Sequence, residues 1–348
     1  MRISLYISAL LVMISFQECH NKNEITFDRV LRLESSKVEI NDVLNPHNIH
    51  IFDSLLFIQE EPRNNKALKI LSLNDFSIVS ESGNFGRGPG EMVNPGSVII
   101  DEEKKDLWIC DLGKFKWFKF PIDSILSERD FKPTESFDIN IGLVPMLNSF
   151  SYTSGNIGFS SYNLRRRGIV FFTDYYGNLI DSLTIPTSSI PGIWDNINDL
   201  DNPYVINYNR DYKRFIIANR HRDVISIIDE QGNLYKKIEA PINKRLSTKD
   251  NSINRGYITY YTIFSDEDYI YCLYVGDHFI VNNNSADQMV LNYPKRLLVF
   301  DWDGRGRYDI ELDHELIFIA LDFDRNRLIG YAEDYFEGFV IYDLEWLN

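Results

Sequence analysis

The sequence predicts an all-β protein, a six-bladed β-propeller of four-stranded antiparallel sheets. Three observations predict it. One strand–turn–strand unit recurs along the chain, its strands carry apolar runs or period-two alternation, and the turns between them hold Gly, Asn and Asp. Outside the N-terminal leader no long stretch shows the 3.6-residue apolar period and the caps of a helix. The clearest copy is Arg214–Ala240. There RFIIANR and VISIIDE read as strands, EQGN as a glycine turn and LYKKIEA as an alternating third strand. Ile169–Ile185 and Leu297–Leu312 repeat its second half; Leu68–Glu81, Leu107–Ile125 and Arg327–Asp343 are weaker copies. The second runs end at Leu73, Phe120, Asp174, Asp229, Asp301 and Asp343, spaced by 47, 54, 55, 72 and 42 residues. Six units at about 40–55 residues, one of them carrying an insertion, match four-stranded blades.

The last unit is short of an outer strand, because only Leu344–Asn348 follows Asp343. Near the start, Ile25–Leu33 (ITFDRVLRL) is a strand-like segment ahead of the first complete unit. Pairing this N-terminal strand with the last blade would cover two open sheet edges and close the ring. The expected closure is therefore Ile25–Leu33 against the C-terminal blade.

Composition agrees with a large folded core. The 348 residues are 44% hydrophobic and 14% aromatic, which excludes a disordered or collagen-like chain. The net charge of −15 argues against nucleic acid and anionic lipid headgroups as partners of the folded part.

The first residues read as an address. Met1–Arg2 is followed by Ile3–Phe16, an uncharged and mostly apolar run of 14 residues, the length of a signal-peptide core and short for a membrane span. Cys19 and the polar stretch His20–Glu24 come next. A hydrophobic run ending at a cysteine resembles a bacterial lipoprotein signal, in which that cysteine is lipidated and becomes the mature N-terminus. Glu18 stands where such signals carry a small residue; the alternative is an ordinary secretory leader. The expected division is a signal peptide over 1–18, a lipid-anchored tether over 19–24 and the propeller over 25–348, in the periplasm, on the outer membrane or at the cell surface. Cys110 and Cys272 lie in apolar strand-like runs and are expected as buried free thiols, with a disulfide between them as the alternative. No CxxC or Cys/His spacing suggests a metal or a cofactor.

Asn84–Gly96 (NFGRGPGEMVNPG) holds Gly86, Arg87, Gly88, Pro89, Gly90 and Glu91, with Pro95 just before a β-branched strand. A phosphate cradle would need a helix N-terminus after the glycines, and none follows. The expected role is a multi-glycine turn between blades, with Arg87 and Glu91 paired to each other or to neighbours. Together with the following strand–turn–strand this stretch looks like an NHL-type blade. The GRGPGE string, the size and the leader are similar to those of six-bladed TolB-like propeller lipoproteins of Bacteroidota. That resemblance implies an exported, often lipid-anchored propeller and brings no catalytic residues with it.

Candidate chemistry is thin. Asp301, Asp303, Gly306 and Asp309 mimic a calcium loop, but Arg305 and Leu312 stand where oxygen ligands are needed, so a solvated hairpin is expected. Asp266–Asp268 reads as a turn. His47 and His50 flank a strand start and are expected at the surface. The stretches best suited to ligand binding are Thr187–Tyr208, with Trp194, Tyr204 and Tyr208, and Gly256–Phe264, with Tyr257, Tyr260 and Tyr261. Aromatic rings beside Asn and Asp suit a glycan, a peptide or a partner protein; packing between blades is the plainer use of each ring. The leading expectation is a non-catalytic binding or scaffold module, joined to the membrane only by its lipid. The rival is a propeller enzyme cleaving glycans or esters with carboxylates or a metal at the central funnel.

Overall fold

A computed structural model describes residues 25–345 except 41, 42, 44, 63–65, 129, 134, 140–144, 154, 155, 162–169, 175, 184–203, 221, 222, 240–256, 279, 284–287 and 333–337. Cys19 and Trp194 therefore lie outside the described residues. Six antiparallel sheets follow one another along the chain. Blade 1 is Pro46–Phe52, Leu55–Glu60, Lys66–Ser72 and Ile78–Asn84; blade 2 is Pro95–Asp101, Asp106–Asp111, Lys116–Pro121 and Ser136–Asp138. Blade 3 is Pro145–Thr153, Asn156–Ser161, Val170–Asp174 and Leu179–Leu183; blade 4 is Tyr204–Asn209, Arg214–Asn219, Val224–Asp229 and Leu234–Glu239. Blade 5 is Tyr257–Ser265, Tyr269–His278, Arg296–Asp301 and Gly306–Leu312; blade 6 is Leu316–Asp322, Arg327–Ala332, Phe339–Asp343 and Ser36–Val38. A small hairpin, Ile280–Asn283 with Gln288–Leu291, grows out of blade 5 and accounts for part of the long 72-residue spacing.

The ring is held by apolar surface between blades. Each neighbouring pair shares one buried cluster, from Leu71 and Phe339 between blades 1 and 6 round to Leu297 and Leu328 between blades 5 and 6. Both faces of a middle strand are thus covered. Successive residues of Arg296–Asp301 show it: Leu298 and Phe300 face blade 4, Leu297 and Val299 face blade 6. This is why the middle strands read as unbroken apolar runs rather than alternating ones.

Closure uses the N-terminal chain, by a different segment from the one expected. Ser36–Val38 pairs antiparallel with Phe339–Asp343 and supplies the missing outer strand of blade 6. The preceding strand, Phe27–Leu33, runs parallel to Gly306–Leu312 as a fifth strand on blade 5. Its sequence explains the choice. Leu31 and Leu33 pack on the blade 5–6 cluster while Ile25 and Phe27 pack on the blade 4–5 cluster, so the longer apolar segment bridges two interfaces. A clasp holds the step between the two strands: the Ser35 N–H and hydroxyl donate to Asp313 Oδ2 at 3.0 and 3.2 Å, and the Tyr342 hydroxyl donates to Oδ1 at 2.7 Å.

Turn chemistry repeats with the blades. In blades 3 and 4 the third strand ends in an Asp, Asp174 or Asp229, whose Oδ1 accepts the N–H of Asn178 or Asn233 at 2.8 Å. Gly177 and Gly232 follow at φ 80° and 83°, a left-handed conformation that glycine adopts without a Cβ penalty. Blade 5 copies this with Asp301, Gly304 and Arg305.

Candidate functional site

Residues of all six blades surround a central cavity of about 590 Å³. Its walls are largely Ile, Val and Phe from the first strands, with a few polar groups converging on the space. Among the described residues lining it, Arg220 is the one permanent cation and Glu102 the one carboxylate. They belong to opposite ends. Arg220 follows the end of the second strand of blade 4, and Glu102 the end of the first strand of blade 2.

The Arg220 end is the more organised. Its guanidinium carbon lies 5.4 Å from the centroid of the Tyr261 ring, a cation–π contact across blades 4 and 5. Its carbonyl accepts the Thr259 N–H at 2.7 Å, and the Thr259 hydroxyl donates to the Asn219 carbonyl at 2.6 Å, so the backbone under Arg220 is tied to blade 5. Tyr204 pairs with Asn219 and starts its strand beside Arg220. His47 and His50 enter from blade 1. His47 Nδ1 lies 3.8 Å from Glu61 Oε1 and its ring is 6.3 Å from Phe318. His50 Nε2 is buried without a hydrogen-bond partner, and burial lowers the imidazole pKa to about 4, so the ring is neutral at pH 7. Toward the other end, the Ser265 hydroxyl donates to Asn207 Oδ1 at 2.7 Å and receives the Asn209 amide at 3.3 Å. Apolar walls with a few oriented polar groups are what a small-molecule pocket requires.

The glycine stretch forms a different structure, the connection from blade 1 to blade 2. Glu91 folds back under it, accepting the Gly88 N–H on Oε2 at 2.7 Å. The Lys114 ammonium donates to the carbonyls of Gly88 and Glu91 at 2.7 and 2.6 Å, and Arg87 is exposed. Asp111 anchors the end of the loop: its carboxylate accepts the N–H groups of Val93, Asn94, Gly113 and Lys114 at 2.7–3.2 Å. Pro95 begins the first strand of blade 2, where its missing N–H is tolerated. Every one of these contacts is internal, and the amides point at the protein's own carboxylates.

A family model for the TolB-like 6-blade propeller-like fold matches residues 21–324. The chain belongs to this TolB-like propeller family. Two solved structures share its architecture. A member of the DUF4221 family from Bacteroides vulgatus is 10% identical, with TM-score 0.64 over 92% of this chain and 98% of that one. A protein from Bacteroides fragilis named as exported is 12% identical, with TM-score 0.56 over 90% of this chain and 99% of that one. At these identities the likeness shows the fold alone. No curated protein sequence matches the chain.

In this TolB-like propeller the aromatic residues singled out in the sequence separate. Tyr260 is fully buried, its ring 5.4 Å from Tyr274 between blades 4 and 5, and does not face solvent. Tyr261 lies against the blade 5–6 cluster instead and also lines the channel. Tyr204 is half-buried against the blade 3–4 cluster, and Tyr208 in the same strand donates its hydroxyl to Glu230 at 2.7 Å. Tyr257 opens the first strand of blade 5, paired with His278. His50, expected at the surface, is instead a channel residue. Arg220 went unmarked, since nothing local distinguishes it from other strand-end arginines. A recurring Asn-Pro, at Asn45–Pro46 and Asn94–Pro95, opens channel-lining strands and was a usable signal for His50.

The remaining constellations resolve into structure. Cys110 and Cys272 are buried free thiols, and burial pushes the Cys110 pKa up to about 12. Asp309 holds Arg296, with Nε donating to Oδ1 at 2.6 Å, and Asp301 caps its own turn, so the calcium-like run is a hairpin. Asp266 accepts the N–H groups of Asp268 and Tyr269 and the Tyr271 hydroxyl. Ser35, Asp313 and His314 come together, but the serine donates directly to the carboxylate. A nucleophilic triad would place the imidazole between them. Among the described residues no three His, Cys, Asp or Glu side chains are grouped to hold a metal.

Proposed function

We propose that this chain is an exported binding module, lipid-anchored at Cys19 after removal of residues 1–18, whose central channel holds a small glycan. The observation that carries the reading is the pairing of Arg220 with Tyr261 on one side of a cavity of about 590 Å³. An aromatic face, a fixed cation and the Asn48 and Asn207 amides elsewhere on the channel wall are groups that bind sugars by stacking and hydrogen bonding. His50 adds a neutral ring nitrogen that still has its hydrogen bond to make. The single carboxylate Glu102 among the described lining residues favours binding over hydrolysis, since glycoside cleavage normally uses two carboxylates flanking the bond. Tyr204, which starts its strand opposite Asn219, stands at the Arg220 end of blade 4.

Calorimetric titration of a panel of neutral and acidic oligosaccharides tests this. At least one saccharide binds, and Tyr261→Ala weakens it about 10-fold or more while leaving the Tm within a few degrees. Saccharides that bind equally to the variant, or a channel that takes only peptides, would contradict it. Mass spectrometry of the mature N-terminus, compared with Cys19→Ala, reads the anchor separately.

A further inference from the structure

The charged groups of the channel sort its ligand. Among the described residues lining it, Arg220 is the one permanent cation. A guanidinium offers donors in a rigid planar fork and accepts nothing. Sugar hydroxyls match such a fork only in part, whereas a carboxylate matches it with two parallel hydrogen bonds. The surroundings of Arg220 keep the fork aimed. Its backbone is tied to blade 5 through the buried Thr259, and its guanidinium carbon lies 5.4 Å from the Tyr261 ring centroid. Tyr261 is backed in turn by Tyr293, edge-on at 6.2 Å, whose N–H donates to Glu315 Oε2 at 3.1 Å. Stacking occupies the face of a guanidinium and hydrogen bonds form at its edge, so the two kinds of contact are compatible.

The far end of the channel has the opposite sign. Glu102 lines it where the first strand of blade 2 ends, and the loops joining first to second strands all lie at that end. Among the described residues these loops expose Asp53, Glu103, Asp211, Glu267, Asp268 and Asp324 beside Glu102. Their exposed cations, Lys104, Lys105 and Lys213, are fewer, and Arg210 and Arg325 lie 3.8 and 3.4 Å from the carboxylates of Glu103 and Asp322. An anionic group is thus repelled from the Glu102 end and drawn to Arg220, and both effects orient a ligand the same way.

We propose that the saccharide held in the channel is acidic, a uronic acid whose carboxylate pairs with the Arg220 guanidinium, and that Arg220 sets the preference over neutral sugars. The inference rests on the glycan reading and narrows it. The full chain is titrated calorimetrically at pH 7 with disaccharides of galacturonic and of glucuronic acid. The same disaccharides with their carboxylates reduced to hydroxymethyl groups, and succinate as a carboxylate without a sugar, complete the set. At least one acidic disaccharide binds about 10-fold or more tightly than its reduced form, the gain of charge-assisted over neutral hydrogen bonds. Added salt narrows that ratio. Arg220→Gln brings it to about 1, and Arg220→Lys, which keeps the charge and loses the fork, leaves it in between. The ratio is read within one sample, so a partly unfolded variant shifts both affinities together, and the salt series needs no variant. Acidic disaccharides that bind no tighter than their reduced forms, or a ratio unchanged by Arg220→Gln, would overturn the proposal and keep a glycan channel. Succinate binding as tightly as the acidic disaccharides, or a channel that takes no saccharide of either kind, would remove the glycan reading and the proposal with it.

Discussion

His50 shows at the scale of one residue how the channel is tuned. Its ring is held neutral because charging it would place a cation among Ile and Val side chains with no counter-ion at Nε2. In the unfolded chain the same imidazole titrates near 6.5, so between about 6.5 and 4 the unfolded state binds the extra proton. Stability is therefore complete above the unfolded value and falls as pH drops through that window, by up to about 3 kcal/mol at 1.36 kcal/mol per pKa unit. Urea unfolding at pH 7, 6, 5 and 4 measures it: His50→Gln flattens this part of the profile, and an unchanged slope in the variant refutes the assignment. Asp313 has linkage of the same sign in a more acidic window. Burial alone would raise it, but the hydrogen bonds from Ser35 and Tyr342 prevail and lower its pKa. The clasp is then intact above the ordinary carboxylate range and is released only in stronger acid.

Among the elements, the glycine loop and the N-terminal strands show what local sequence can and cannot express. The loop was legible because its glycines answer to local geometry. Gly90 adopts φ 69°, and a Cβ there would lie 3.0 Å from the Pro133 carbonyl oxygen. A Cβ on Gly88 would meet only the flexible Glu91 carboxylate, at 2.9 Å. Gly90→Ala should therefore cost about 1–3 kcal/mol and Gly88→Ala less, a ranking that thermal unfolding of the two variants reads directly. Equal costs would show that Glu91 does not yield. The closing strand was not legible in the same way. Ser36–Val38 is three residues long with a single apolar side chain, and its place depends on what blade 6 lacks, which no window around it reveals. Ile25–Leu33 carries the stronger pattern and spends it bridging blades 4, 5 and 6. Tyr260 and Tyr261 make the same point at the site. Composition marks both, but only strand register decides which of them enters the channel.

For the whole molecule, the six-fold recurrence was readable because every blade must bury two faces against its neighbours, which writes the same apolar runs six times over. The functional surfaces are spread across blades and so leave no local motif: the channel draws Arg220 from blade 4, Tyr261 from blade 5 and His50 from blade 1. The channel depends on the ring being shut by the N-terminal chain. Paired cysteines test that closure most directly, because Lys37 faces Val340 across the blade 6 ladder whereas Val30 faces Asp309 in blade 5. In an oxidised sample, Lys37→Cys with Val340→Cys should form a disulfide in nearly every molecule, detected by peptide mapping, with the fold retained. A chain in which Val30→Cys links to Val340→Cys, while the Lys37 pair stays reduced, would contradict the account.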